Sequence, residues 1–155
     1  MIMATLFELN RRAIKIDPIK IYSKAISINS SNIIKSLQDQ LYKGKTAGFE
    51  GRELSFNYSK RTKQALRYSI MKNKMNPGAN RKVDFYLTGA FYRGMTLIKE
   101  NDNEFFINST DEKTDLLKDR FGNNIMGLTK NTYALVTEKY ILLSMQMELR
   151  KILGI

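Results

Sequence analysis

The sequence predicts an α+β fold, with a small antiparallel β-sheet that includes a hairpin near 95–109, packed by helices and followed by a long C-terminal helix. Three observations predict it. Apolar residues recur at helical spacing in several segments, most extensively over 130–153. A strand–turn–strand pattern occupies 96–108. The length of 155 residues suits one domain, 1–155, with one real core.

Residues 3–13 predict a short amphipathic helix with Leu6, Leu9 and Ala13 on one side. Asp17-Pro18 reads as its break, because proline fixes φ and removes a backbone donor, and the Ile-rich stretch 19–28 reads as extended. A helix follows. Ser30 or Ser31 can cap it, Ile33, Ile34, Leu37 and Leu41 repeat at helical spacing, and Gly44 stops it. Residues 44–59 hold three glycines and no clean period, which predicts a long loop with one short strand at Glu53–Tyr58. The segment KRTKQALRYSIMKNKM, 60–75, reads as a helix turning Ala65, Leu66, Ser69 and Ile70 inward. Its other face carries Lys60, Arg61, Lys63, Arg67, Lys72 and Lys74, and Asn76-Pro77-Gly78 ends it.

In the second half, Thr88 suits an N-cap on a short helical turn over GAFYRGM. Thr96–Lys99 and Glu104–Asn108 read as paired strands joined by the turn residues Glu100 to Asn103. Asp111 opens an acidic-start helix that Gly122 stops. Thr129 caps a last helix over 130–153, with Gly154 just beyond. Its apolar stripe runs through Tyr133, Val136, Tyr140, Leu143, Met147 and Ile152, while Leu135, Ile141, Leu142, Met145 and Leu149 lie off it. Such wide apolar coverage needs cover on more than one side, and another subunit can supply part of it.

Composition narrows the function. There is no Cys, so disulfides, thiolate metal sites and a Cys nucleophile are excluded. There is no His, which removes Ser–His–Asp catalysis and His-based metal sites. The chain thus reads as no enzyme, with no cofactor and no metal. The start MIMATLFELNRRAIKI has too short an apolar run for a signal peptide, and no window reaches the roughly 18 apolar residues of a membrane span. The reading is a soluble protein made in a cytoplasm, with no membrane partner.

The net charge of +11 is uneven. Residues 1–82 hold 17 Lys and Arg against 5 Asp and Glu, and residues 83–155 hold 9 against 10. A basic half suggests a polyanion or an acidic protein surface as partner, and a solvated Lys-rich surface gives the same count. Asp111, Asp115 and Asp119 share one helix face, but a metal or acid–base site needs convergence from other elements, so a solvated acidic face accounts for them. GKTAGFEG lacks the upstream glycine of a phosphate loop. Basic residues alternate with aromatics from Phe56 to Tyr68, a mix that can track a phosphate backbone and stack on bases; residues 52–74 are thus the candidate nucleic-acid surface. The same mix suits a surface helix packed by Tyr rings.

Thr88, Gly89, Phe91 and Gly94 stand before the hairpin in the pattern T-G-x-[LF]-x-x-[SG], Phe121-Gly122 ends the following helix, and Leu128-Thr129 joins it to the capped last helix. This order of features resembles the tailed-phage virion morphogenesis proteins, the small head–tail joining, neck and tail-completion proteins. The resemblance covers about 70 of the 155 residues. It implies an α+β fold and a structural role in the virion, as a ring between portal and tail or at the tail end. Its partners would be copies of itself, portal, adaptor or tail proteins, with DNA in proximity. On this reading 83–155 is the scaffold of hairpin and C-terminal helix, and the basic half 1–82 with its loop 44–59 is the docking surface. The candidate partner contacts are Arg52, Phe56, Tyr58, Arg61 and Arg67.

Overall fold

The structure, a computed structural model, describes residues 6–58, 63–80, 82–86 and 88–155. It is α+β, with a majority of helix, two separate two-stranded antiparallel sheets and a long C-terminal helix. Among the described residues no helix is long and apolar enough to cross a membrane.

Helix α1 (Leu6–Ala13) lies against the end of the chain, where Arg12 Nη1 donates to the Leu153 carbonyl at 2.8 Å. Residues 19–28, read as extended, are instead helix α2 (Pro18–Ile28). Asp17-Pro18 starts a helix rather than breaking one. The Asp17 carboxylate accepts from the N–H groups of Ile19 and Lys20 at 3.1 and 3.2 Å, and the fixed φ of Pro18 suits the first helical position. The β-branched run then buries Ile21, Ala25 and Ile26 on one side. Helix α3 (Ser30–Tyr42) follows without a side-chain cap from Ser30 or Ser31. Asn29 stands at that junction and is buried. Its amide donates to the Ala25 carbonyl at 2.9 Å and to Ser144 Oγ at 2.7 Å, tying the α2–α3 corner to the C-terminal helix.

The loop 44–59 is partly built. Strands β1 (Thr46–Ala47) and β2 (Glu53–Leu54) pair around a 3-10 turn at Phe49–Gly51, and β1 rests on the turn Asn123–Met126. Only the first two residues of the expected strand Glu53–Tyr58 are strand. Beyond it, Val83 N donates to the Phe56 carbonyl and Asn57 bridges to Lys82. Helix α4 (Lys63–Met75) comes next, then the short α5 (Ala90–Arg93), whose cap position is Gly89; Thr88 Oγ1 accepts from Ala90 N at 3.4 Å.

Strands β3 (Met95–Lys99) and β4 (Phe105–Ser109) form the predicted hairpin, in register from Met95↔Ser109 to Lys99↔Phe105. Met95, Leu97, Phe105 and Ile107 turn toward the helices, while Thr96, Ile98 and Phe106 turn outward, the period-two alternation of a half-covered sheet. Helix α6 (Thr114–Phe121) ends at Gly122 as expected. Its start is later than expected, because Asp111 turns back to accept from Lys113 N at 2.8 Å.

The last helix runs without a break in right-handed conformation through α7 (Lys130–Val136), a π-turn (Thr137–Ile141) and α8 (Leu142–Leu153). Thr129 caps it, its Oγ1 accepting from Thr132 N at 3.3 Å, and the left-handed Gly154 closes it. The expected apolar stripe holds at Val136, Tyr140 and Ile152 and fails at Tyr133, Leu143 and Met147. Ile141 is buried and Tyr140, Met145, Leu149 and Ile152 are half-buried, while Tyr133, Leu143 and Met147 face outward. The π-turn carries one extra residue, which rotates all that follows by about a quarter turn relative to a straight helix.

The core draws on both halves of the chain. Leu37 and Leu41 of α3, both at 0% exposure, join Ile26, Ile33, Phe91, Met95, Ile107, Ile125 and Val136 in one cluster. Gln40 locks α3 to the start of the last helix, donating to the Gly127 carbonyl and accepting from Thr129 N.

Candidate functional site

The segment Val83–Tyr86 carries no regular structure, and beyond the bond from Val83 N to the Phe56 carbonyl its backbone is held by side chains. Asp84 is the hub. Its side chain is 1% exposed, and its Oδ1 receives Lys72 Nζ at 3.0 Å, Tyr58 Oη at 2.9 Å and Tyr86 N at 3.3 Å. Its Oδ2 accepts from Asn76 Nδ2 at 3.1 Å, and its carbonyl accepts from Tyr92 Oη at 2.5 Å. Lys72 also donates to the Tyr86 carbonyl, and Asn76 to the Tyr42 carbonyl. Both charges have left water, and each has several partners, the condition under which a buried pair persists.

This corrects the reading of 60–75. Lys72 is not on a solvated basic face; it is buried with its side chain 2% exposed. Ser69 and Lys72 turn inward while Leu66 and Ile70 are exposed. The inward phase runs Ala65, Ser69, Lys72, Asn76, a seven-residue helical spacing whose later members are all polar. That spacing was the available signal, and polarity concealed it. The tyrosines around the hub respond to it. Burial first, then the Asp84 carboxylate, pushes Tyr58 and Tyr92 far above the usual phenol range, and Tyr68 upward as well.

Of the motif residues, Phe91 and Phe121 pack beside this hub and Gly94 lies against the hairpin, while Thr129 stands apart, against α3. Gly89 has φ +79°, a left-handed conformation that lets the chain turn into α5. Phe91 is buried beside Phe85, which packs edge-on against Phe121 with ring centroids 5.1 Å apart. At Gly94 the constraint is space. A Cβ there would stand 2.7 Å from Ser109 Oγ and 3.0 Å from Thr110 N, because β4 closes over this point with Thr110 N donating to the Gly94 carbonyl. Gly122 ends α6, Leu128 is half-buried, and Thr129 is the buried cap.

A groove of about 550 Å³ lies beside the hub, between α4 and α6. Its floor is aromatic, from Tyr68, Phe85, Phe91 and Phe121, and Gln64 and Arg120 stand among its polar lining. Among the described residues no cluster of acidic side chains is arranged to hold a metal ion.

The expected partner contacts are scattered. Arg52 and Arg67 are exposed. Phe56 packs on Phe121 at 5.1 Å, and Tyr58 spends its hydroxyl on Asp84 and its ring edge on Tyr68. Arg61 lies outside the described residues. One outward apolar feature the sequence placed partly inside: the last helix presents Leu135, Leu142, Leu143 and Met147, the last two at 56% and 64% exposure. Compared with known proteins, the chain matches no family model, no curated protein sequence and no solved structure.

Proposed function

We propose that this chain is a non-enzymatic structural subunit of a tailed-phage virion, joining copies of itself into a ring at the head–tail junction, neck or tail end. The observation that carries the reading is the outward face of the last helix. Leu135, Leu143 and Met147 are exposed on one side of a continuous helix, with the exposed Leu142 beside them. An apolar face of this kind favours cover by another protein surface. The hairpin of β3 and β4 adds to it, since among the described residues no further strand pairs with it.

The competing reading is a basic nucleic-acid-binding protein acting through residues 52–74. It loses some of its means in the fold: Lys72 is spent on Asp84, and the rings of Phe56 and Tyr58 are packed rather than free to stack on bases. Light scattering across a concentration series, at low and high salt, with and without duplex DNA, separates the two. The structural reading expects a mass that rises with concentration or on adding a virion partner and is indifferent to DNA. A salt-sensitive DNA complex at micromolar protein transfers the assignment to nucleic-acid binding, because counterion release makes such binding fall steeply with salt.

A further inference from the structure

We propose that copies of this chain meet head to tail, the acidic ridge of α6 on one copy seating on the basic and apolar stripe of α4 on the next. This deepens the ring reading and rests on it.

The two surfaces are complementary in charge and in layout. On α4, Lys63, Arg67, Ile70 and Lys74 follow one another along a single face with Leu66 beside them, and all are exposed. On and just before α6, Glu112, Asp115 and Asp119 form one acidic stripe, all exposed, with Leu116 along its edge and 65% open to water. On α4 the apolar residues are flanked by cations; on α6 the three carboxylates lie to one side of Leu116 and the exposed Lys113 and Arg120 to the other. Among the described residues, none of these charged groups enters a salt bridge. An uncompensated row of like charge repels itself, and an opposite row relieves that repulsion while setting register and steering encounter. The apolar residues supply the water-excluded contact that charges alone do not.

Their directions fit a repeating contact. At 3.6 residues per turn, the α4 stripe lies across the helix from Gln64, Ala65 and Tyr68, which face the groove. The α6 carboxylates likewise lie across from Leu117 and Phe121, which face it from the other wall, with Arg120 between that wall and Leu116. The stripes therefore point away from the groove on its two sides. The α4 stripe cannot pair with its own copy, since that would set cation on cation, and the α6 carboxylates offer it the opposite charge. A contact between two different patches repeats from copy to copy and closes into a ring where the rotation allows.

The chain has no cysteine, which makes the test direct. A Leu66→Cys variant is mixed with a Leu116→Cys variant under oxidising conditions, at low salt. The expected product is the mixed disulfide, in excess over both same-variant dimers. Adding Asp115→Lys and Asp119→Lys to the Leu116→Cys chain should abolish it, and adding Arg67→Glu and Lys74→Glu to the Leu66→Cys partner should restore it. Same-variant dimers that equal or exceed the mixed product overturn the proposal, as does a mixed product indifferent to charge reversal. Native chains that still assemble in light scattering when the mixed disulfide is absent leave the ring reading intact and remove this contact alone.

Discussion

At Lys72 the ammonium is out of water, so its stability in the fold depends on Asp84 Oδ1 at 3.0 Å and the Tyr86 carbonyl. Removing one partner strands the other charge. Lys72→Met is expected to destabilise the protein by about 3–5 kcal/mol, and Asp84→Asn by a comparable amount. The double variant should cost clearly less than the sum, because no lone charge remains. Urea denaturation of the three variants checks this, and additive losses would mean that the two groups do not act as a pair. Around the same hub, Tyr58 and Tyr92 hold their protons to higher pH than a free phenol, first through burial and then through the Asp84 carboxylate. Their folded values lie above the ordinary 10.0, so their contribution to stability is full below that pH. It falls as pH rises further, because the unfolded chain releases those protons first. The urea midpoint should therefore drop on the alkaline side, and Tyr58→Phe should flatten the drop. A midpoint independent of pH in that range would contradict the buried placement.

At the scale of elements, the last helix carries the clearest case of geometry overruling pattern. A straight helix through Val136 would bring Leu143 and Met147 to the core, as their spacing suggests. The π-turn at Thr137–Ile141 inserts one residue, and the inward line passes instead through Ile141, Met145 and Leu149. Ile141→Ala should thus cost about 2–5 kcal/mol, the range for truncating a packed core side chain. Leu143→Ala should stay within about 0.5 kcal/mol, as for a surface position. Thermal or chemical denaturation of the two variants tests the phase, since a straight helix would reverse their order. Helix α2 makes the opposite point. Asp17-Pro18 is compatible both with a break and with a helix start, and only the side-chain bonds from Asp17 to the N–H groups of Ile19 and Lys20 decide which. An Ile-rich run has strand propensity, but burying Ile21, Ala25 and Ile26 on one side outweighs it.

Taken together, local signals in the chain already carry the α+β class, the hairpin with its turn, the Thr129 cap, the stops at Gly122 and Gly154, and the absence of Cys and His chemistry. Those features rest on local causes: turn residues, caps, period-two alternation and composition act within a few residues of where they are read. Long-range packing sets which side of each helix faces inward and which polar groups find partners. Asp84 collects Lys72, Asn76 and Tyr58 from parts of the chain 8 to 26 residues away, and no local pattern encodes that meeting. Core and surface also cut across the charge division at residue 82. The basic half supplies Leu37 and Leu41 to the centre of the core, while the near-neutral half leaves Leu135, Leu143 and Met147 exposed on its last helix. Burial is a property of the packed whole, because a side chain leaves water only when distant elements close over it.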